Sequence, residues 1–403
     1  MSTDLNNKWT RAAIPALLMH CSIGTVYCWS TVKDAIAEQI KMDTISVGWA
    51  FSLAIFFLGM SAAFAGKKVE TDIHKSSMIS AICFATGMIG TGLTLRFCQG
   101  TPALLLIYLS YGCIMGVGLG IGYLTPVKTL MLWFSENKGL GTGISIMGFG
   151  LAKAIATPIM EILQRKLGIS ATFLILGCAY FIMMFAGHLL LKKPDNWKEN
   201  KETNASFKPI HMFKNKTFIG IWLIFYLNIH CGLMLISYEK QFLSTNYANA
   251  VNLVAILSIV PSVTALCNAM GRIGYSTISD RLKDRGSVYF TIFISCILTG
   301  IYAYVDNQTV MMLLMIVNLG YGGGFSTLPA LLASHFGMEN ISKIHGLALS
   351  AWAIAGLTGN NLSGILLQHS ENSYSLIIGV ATTLYVIALM IYLLMVKEQK
   401  QRK

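Results

Sequence analysis

Val251–Ile278 reads VNLVAILSIVPSVTALCNAMGRIGYSTI. It is long and apolar enough for a helix across a bilayer, whose hydrocarbon core takes about 20 residues. Arg272 interrupts it. A guanidinium stays charged at any physiological pH, and placing one in hydrocarbon costs about 2.5–3.5 kcal/mol on insertion scales. A chain keeps such a residue where it faces a cavity and has a partner. That partner need not belong to the protein.

Comparable apolar runs recur on both sides of this one. Twelve are legible, at 12–32, 44–65, 76–97, 102–130, 139–162, 169–191, 217–238, 251–275, 287–305, 309–334, 345–368 and 374–396. The 403 residues are 54% hydrophobic and only 12% charged, where a soluble domain carries roughly 25% charged residues. An all-α membrane protein of twelve transmembrane helices is expected. The first run lacks a convincing cleavage site and reads as a true span.

Lysine and arginine set the expected orientation. With both termini cytoplasmic, 21 of the 30 basic residues fall inside and six outside, and Lys128, Lys153 and Arg272 lie within spans. The net charge of +12 is then mostly a topology signal, and no nucleic-acid partner is inferred. The expected location is the plasma (inner) membrane, with the lipid bilayer as surroundings and a monomer as the assembly. The nine cysteines sit in or beside apolar runs without metal-ligand spacing, so they read as small buried residues. No metal and no cofactor are expected. The Asn-X-Ser/Thr matches at Asn204, Asn215 and Asn307 read as chance.

The runs divide six and six about Lys192–Lys216, a basic polar stretch too short for a domain. The expected units are 1–191, a linker 192–216, and 217–403. Each half carries a similar marker after its second run. Gly66 is followed by Glu70, Asp72 and His74-Lys75, and Gly274 by Asp280-Arg281 and Arg285. Paired markers suggest an internal repeat, a signature of transporter folds, with Glu70, Asp280 and Arg281 as gating-loop candidates. Runs 4, 5 and 10 concentrate glycine, which lets helix backbones approach closely, either statically or with sliding between states.

The charges inside the membrane are nearly all positive. Lys128 lies about 7–8 Å within the cytoplasmic interface, where its ammonium snorkels to water or faces a cavity. Lys153 lies about 21 Å into its run, too deep to snorkel easily. Asn268 stands one turn before Arg272, making a polar stripe. Among acids only Glu161 falls within a proposed span. Intramembrane bases usually pair with acids, so the simplest compensation is a bound anion gripped by the guanidinium fork. Tyr27, Tyr123, Tyr321 and Trp352 are candidate cavity aromatics, able to wall a pocket while presenting polar tips. His20 and His230 lie mid-span, as hydrogen-bonded core residues or as proton relays. No mid-membrane carboxylate is available as a proton carrier.

More specific runs then resemble a known family. They are Gly24-Thr-Val-Tyr27-Cys-Trp29, Trp133-Phe134-Ser-Glu-Asn-Lys138-Gly139-Leu140, Asn268-Ala-Met-Gly271-Arg272, Ser279-Asp280-Arg281, Tyr321-Gly-Gly-Gly-Phe325 and Ala351-Trp352-Ala-Ile-Ala-Gly356. The chain resembles the major facilitator superfamily, and within it the oxalate/formate antiporter family, related to monocarboxylate transporters. The resemblance implies a major facilitator fold of two six-helix halves. It also implies that Arg272 binds carboxylate and that Tyr27, Tyr123 and Tyr321 line the central cavity. One departure matters. The family's oxalate exchanger carries a lysine on its eleventh helix, and the corresponding position here is Trp352.

The expected function is secondary transport of a small monocarboxylate such as formate, lactate or pyruvate, by exchange or with a proton as coupling ion. Alternatives are dicarboxylate antiport of the oxalate/formate type, multidrug or solute export, and a carboxylate sensor that moves nothing. No Walker loop, HExxH or GxSxG motif is present, so an enzyme is not expected.

Overall fold

A computed structural model of the chain describes residues 7–197, 208–369 and 374–397. The middle of the expected linker, with Asn204, and the last six residues lie outside the described residues. No strand occurs among the described residues. Ten stretches are long and apolar enough to cross a bilayer. The first four are α1 (Trp9–Ile40), α2 (Thr44–Thr71), α3 (Ile73–Phe97) and α4 (Gly100–Trp133). The fifth, Lys138–Leu190, is two helices, α5 (138–167) and α6 (169–190), because Gly168 breaks it with φ +82°. A side chain there would clash with its own backbone, so glycine makes the turn. The remainder are α7 (Lys216–Ile236), α8 (Leu253–Arg281), α9 (Ser287–Val305), α10 (Val310–Phe336) and α12 (Tyr374–Val396). With α11 (Ile341–His369) the long helices among the described residues number twelve.

Lipid offers no partner for backbone amides, so each crossing must satisfy its own as a helix. The starts of α2, α3 and α7 are capped by Asp43, Asp72 and Asn215, which accept from the amides of Ser46, Lys75 and Phe218. Large apolar side chains such as Phe64, Leu105, Val254, Ile301 and Leu394 remain exposed on the outer surface, as a lipid-facing belt requires.

Several helices outlast their apolar runs, and this corrects the segment bounds. α1 continues through Lys33, and α2 carries Glu70 in its last turn. A short helix, Glu239–Asn246, follows α7 outside the membrane-spanning segments. The first six helices meet the last six mainly where α2 packs on α11 and α5 on α8. Within the second set, α8 and α10 touch backbone to backbone. A Cβ on Gly271 would lie 2.0 Å from the Leu319 carbonyl, and one on Gly322 2.1 Å from that of Asn268. Only glycine permits this approach, and it brings Arg272 beside Tyr321. On α1 the backbone tightens to a 3-10 turn over Gly24–Cys28, which carries Tyr27.

Candidate functional site

The described ends of the chain, near Arg11 and Val396, share one side of the molecule, the termini side, with the loops around Glu70, Lys138, Lys192, Arg285 and Ser342; the opposite side is the far side. A cavity of about 200 Å³ opens between the two helix sets toward the far side. Its polar wall comprises Tyr27 and Lys33 of α1, Lys153 of α5, Asn268 of α8, and Asn318 and Tyr321 of α10, with Glu239 at the rim. Lys153 also faces a wider vestibule of about 930 Å³ that holds Glu161, Arg165 and Lys240. Four residues named from sequence, Tyr27, Tyr321, Asn268 and Lys153, thus meet in one cavity.

Arg272 lies one layer deeper and is 0% exposed. The hydroxyls of Tyr27 and Tyr321 are bonded to each other at 3.0 Å, joining the two helix sets at the cavity floor. Arg272 Nε donates to Asn268 Oδ1 at 2.8 Å and one terminal nitrogen donates to the Ile146 carbonyl at 3.1 Å. Phe149 and Phe325 flank the guanidinium, with ring centroids 5.7 and 5.4 Å away. Among the described residues no carboxylate pairs with it. Neutral oxygens and aromatic faces stabilise the cation without cancelling its charge.

Tyr123 and Trp352 do not line this cavity. They pack edge-to-face at 5.3 Å in an aromatic plug with Phe149 and Phe325, the two rings that flank Arg272. The Tyr123 hydroxyl and Trp352 Nε1 are buried without a hydrogen-bond partner among the described residues. His20 is held under the plug. One ring nitrogen is 2.8 Å from Ser145 Oγ, the other 3.1 Å from the Tyr123 carbonyl. His230 lies off the cavity, 2.8 Å from Thr358 Oγ1 and 3.3 Å from the Tyr226 hydroxyl.

Lys128 is neither snorkelling nor in the cavity. It forms a buried ion pair with Glu70. The expectation that almost no acid reaches the interior is thereby corrected: α2 extends past its apolar run and delivers Glu70 into the protein. The other Glu70 oxygen accepts from the Ser342 amide at 2.9 Å, capping the start of α11. Asp280 does the matching work on the opposite pair of helices. It accepts from the Gly139 and Leu140 amides at the start of α5, at 2.9 and 2.8 Å. Its basic partner is Arg285 at 2.5 Å; Arg281 is exposed. Each acid therefore ties one helix set to the other, and the termini side is closed.

Sequence reasoning missed Glu239, Phe149 and Phe325. Phe325 carried a signal, one helical turn after Tyr321 in a quoted run. Glu239 carried none, because it opens a polar stretch between two spans. Its Oε1 accepts from Thr264 Oγ1 at 2.5 Å. Burial pushes its carboxyl above the usual range, opposed by the Thr264 bond and by Lys153. Among the described residues no group of three or more His, Cys, Asp or Glu is placed to hold a metal.

The Major Facilitator Superfamily model matches residues 16–360. The oxalate:formate antiporter of Oxalobacter formigenes is 22% identical over 370 residues, covering 90% of this chain and 85% of its own length. Apicoplast pyruvate carrier 1 of Toxoplasma gondii is 21% identical, covering 88% and 83%. Among solved structures, a bacterial homologue of the iron transporter ferroportin in an outward-facing state superposes with a TM-score of 0.74. It is 12% identical and covers 94% of this chain and 97% of its own. At that identity the likeness speaks to fold alone.

Proposed function

The chain belongs to the major facilitator superfamily of membrane transporters, and from that premise we propose that it carries a small monocarboxylate by alternating access. One observation carries the reading: Arg272 is wholly buried and has no carboxylate partner among the described residues. A planar fork of N–H donors under a cavity floor suits one carboxylate. The relatives named for oxalate, formate and pyruvate support the chemical class.

The units 1–191 and 217–403 rock about this site. The excess of basic residues on the termini side makes that side cytoplasmic in the plasma membrane, so the cavity faces outward. An anion enters past Lys153, parts the Tyr27–Tyr321 hydroxyl pair and meets Arg272. Tyr123 and Trp352 form the barrier below it and take up their unmet hydrogen bonds when the cavity opens to the cytoplasm. A mainly positive lining disfavours cationic drugs as cargo.

Trp352 offers no second cation beside Arg272, which favours formate, lactate or pyruvate over oxalate. Lys153, in the cavity above, gives a second reading its footing: dicarboxylate exchange, with one end on each cation. The test is uptake of labelled formate, lactate, pyruvate and oxalate into proteoliposomes, with and without counter-anion inside. Saturable monocarboxylate uptake is expected. Binding without flux would make the protein a sensor, and oxalate-only exchange would replace the first reading with the second. Tyr27→Phe removes one hydroxyl from the floor but keeps the ring; the half-saturating concentration is expected to rise roughly three- to tenfold, matching one hydrogen bond of about 1 kcal/mol.

A further inference from the structure

Resting on the carrier reading above, we propose that Glu239 is the proton-binding residue that couples anion transport to a proton, by competing with the anion for Lys153. The two residues line one cavity from different helix sets. Lys153 comes from α5, in the first helix set. Glu239 opens the short helix after α7, in the second, and is 6% exposed. Thr264 of α8 holds its carboxyl in place. An anion moving toward Tyr27 and Tyr321 passes between them.

The groups facing Glu239 are few. Lys153 faces it from α5, Lys33 lies on the α1 wall of the cavity, and Lys240 is its neighbour in sequence. The cavity residues of α8 and α10 are neutral, Thr264 and Asn268 on one and Asn318 and Tyr321 on the other. No other acid lines this cavity among the described residues.

With Glu239 ionised, its charge offsets that of Lys153, and an arriving carboxylate meets a like charge at the entrance. A proton from the far-side water adding to the Glu239 carboxylate removes the cavity's own counter-charge to Lys153, leaving Glu161 in the adjoining vestibule, beside Arg165 and Lys240, as the other acid near it. The anion then takes the place of the carboxylate as its counter-charge. The cavity thus holds one proton and one monocarboxylate together, or neither, and the loaded and empty carriers carry the same net charge. When the termini side opens, the anion leaves, Lys153 again favours the ionised carboxylate, and the proton follows.

The sign follows from linkage. Burial holds the Glu239 carboxyl above its ordinary value, so protons bind as pH falls through that raised value and anion affinity rises with them. Bound anion reciprocally tightens the proton. Where coupling is complete, affinity changes roughly tenfold per pH unit over that window.

The test measures binding of lactate and formate to the purified protein by tryptophan fluorescence, and initial uptake of both into proteoliposomes, at about pH 5.5 and about pH 7.5. Wild type is expected to bind at least about tenfold more tightly at the lower pH. Glu239→Gln, which mimics the protonated acid, is expected to bring the ratio of the two affinities to about one. Thr264→Val removes a bond that favours the ionised carboxylate, and is expected to move the midpoint upward by about one pH unit. Glu239→Asp retains a titrating group and retains pH dependence with a displaced midpoint. The last two variants carry the test if Glu239→Gln does not fold. A Glu239→Gln ratio equal to wild type, or pH-independent wild-type affinity, overturns the proposal while leaving the carrier reading intact. A wild type that neither binds nor transports either anion overturns the carrier reading, and the coupling with it.

Discussion

Arg272→Lys is expected to lower monocarboxylate uptake roughly 30- to 150-fold in proteoliposomes, with little change in the amount of folded protein. The substitution keeps one positive charge at the position. It loses the planar pair of donors that meets both oxygens of a carboxylate, and it loses Nε, which holds Asn268. Bonds to charged groups contribute about 1.5–3 kcal/mol, and about 2–3 kcal/mol corresponds to that range of rates or affinities. An ammonium also makes a weaker match to the flat faces of Phe149 and Phe325. Arg272→Gln separates the effects further, since it removes the charge and is expected to abolish uptake. Uptake by Arg272→Lys within twofold of wild type would show that the buried cation is structural, held by Ile146 and the two rings for packing alone. The anion would then be read higher in the cavity, by Lys153.

The fold was legible because the strongest signal in a membrane chain is the apolar run, and each of the twelve runs lies on a helix. What the runs could not show was where helices end. Lys33 and Glu70 looked like loop residues because they are charged. Yet α1 and α2 continue beyond hydrocarbon-compatible sequence, and both residues finish in protein surroundings. The partner of Lys128 is 58 residues distant, and a one-dimensional reading has no measure of that approach. The same limit applies to Tyr27 and Tyr321, which both read as cavity aromatics although only the fold, bringing their side chains to one cavity floor, makes them a bonded pair. Tyr123 and Trp352 read the same way in sequence, but lie in the plug because the termini side is closed. Their place in a cavity depends on which side is open, and sequence carries no mark of the state. Glu239 was illegible for a different reason: a polar residue after a span is the commonest thing in a membrane protein, and its function rests on a fold-back over α8.

Glu70→Gln is expected to have the largest effect on stability. Gln keeps an oxygen for the Ser342 amide, so the cap on α11 survives, and what is lost is the charge opposite Lys128. That ammonium is 1% exposed and Glu70 0%, so water cannot replace the missing partner. Breaking such a pair from one side destabilises by about 3–5 kcal/mol, since the Trp197 ring 5.2 Å from the ammonium does not cancel its charge. An apparent melting temperature lower by about 5 °C or more is expected in detergent. Lys128→Met alone is expected to destabilise similarly, whereas the double variant recovers much of the loss, since a neutral pair replaces the ionic one and no charge is left buried. Asp280→Asn provides the contrast: Arg285 is 18% exposed, so solvent screens the orphaned charge and the loss is smaller. The double variant also separates stability from gating. Glu70 reaches the second helix set through the Ser342 amide, whereas its pair with Lys128 lies within the first set, and a neutral pair keeps the crossing contact without a buried charge behind it. If the ion pair regulates the cycle, the double variant is stable but its transport rate departs from wild type. If rate and stability recover together, the pair serves only to pack α2, α4 and the start of α11.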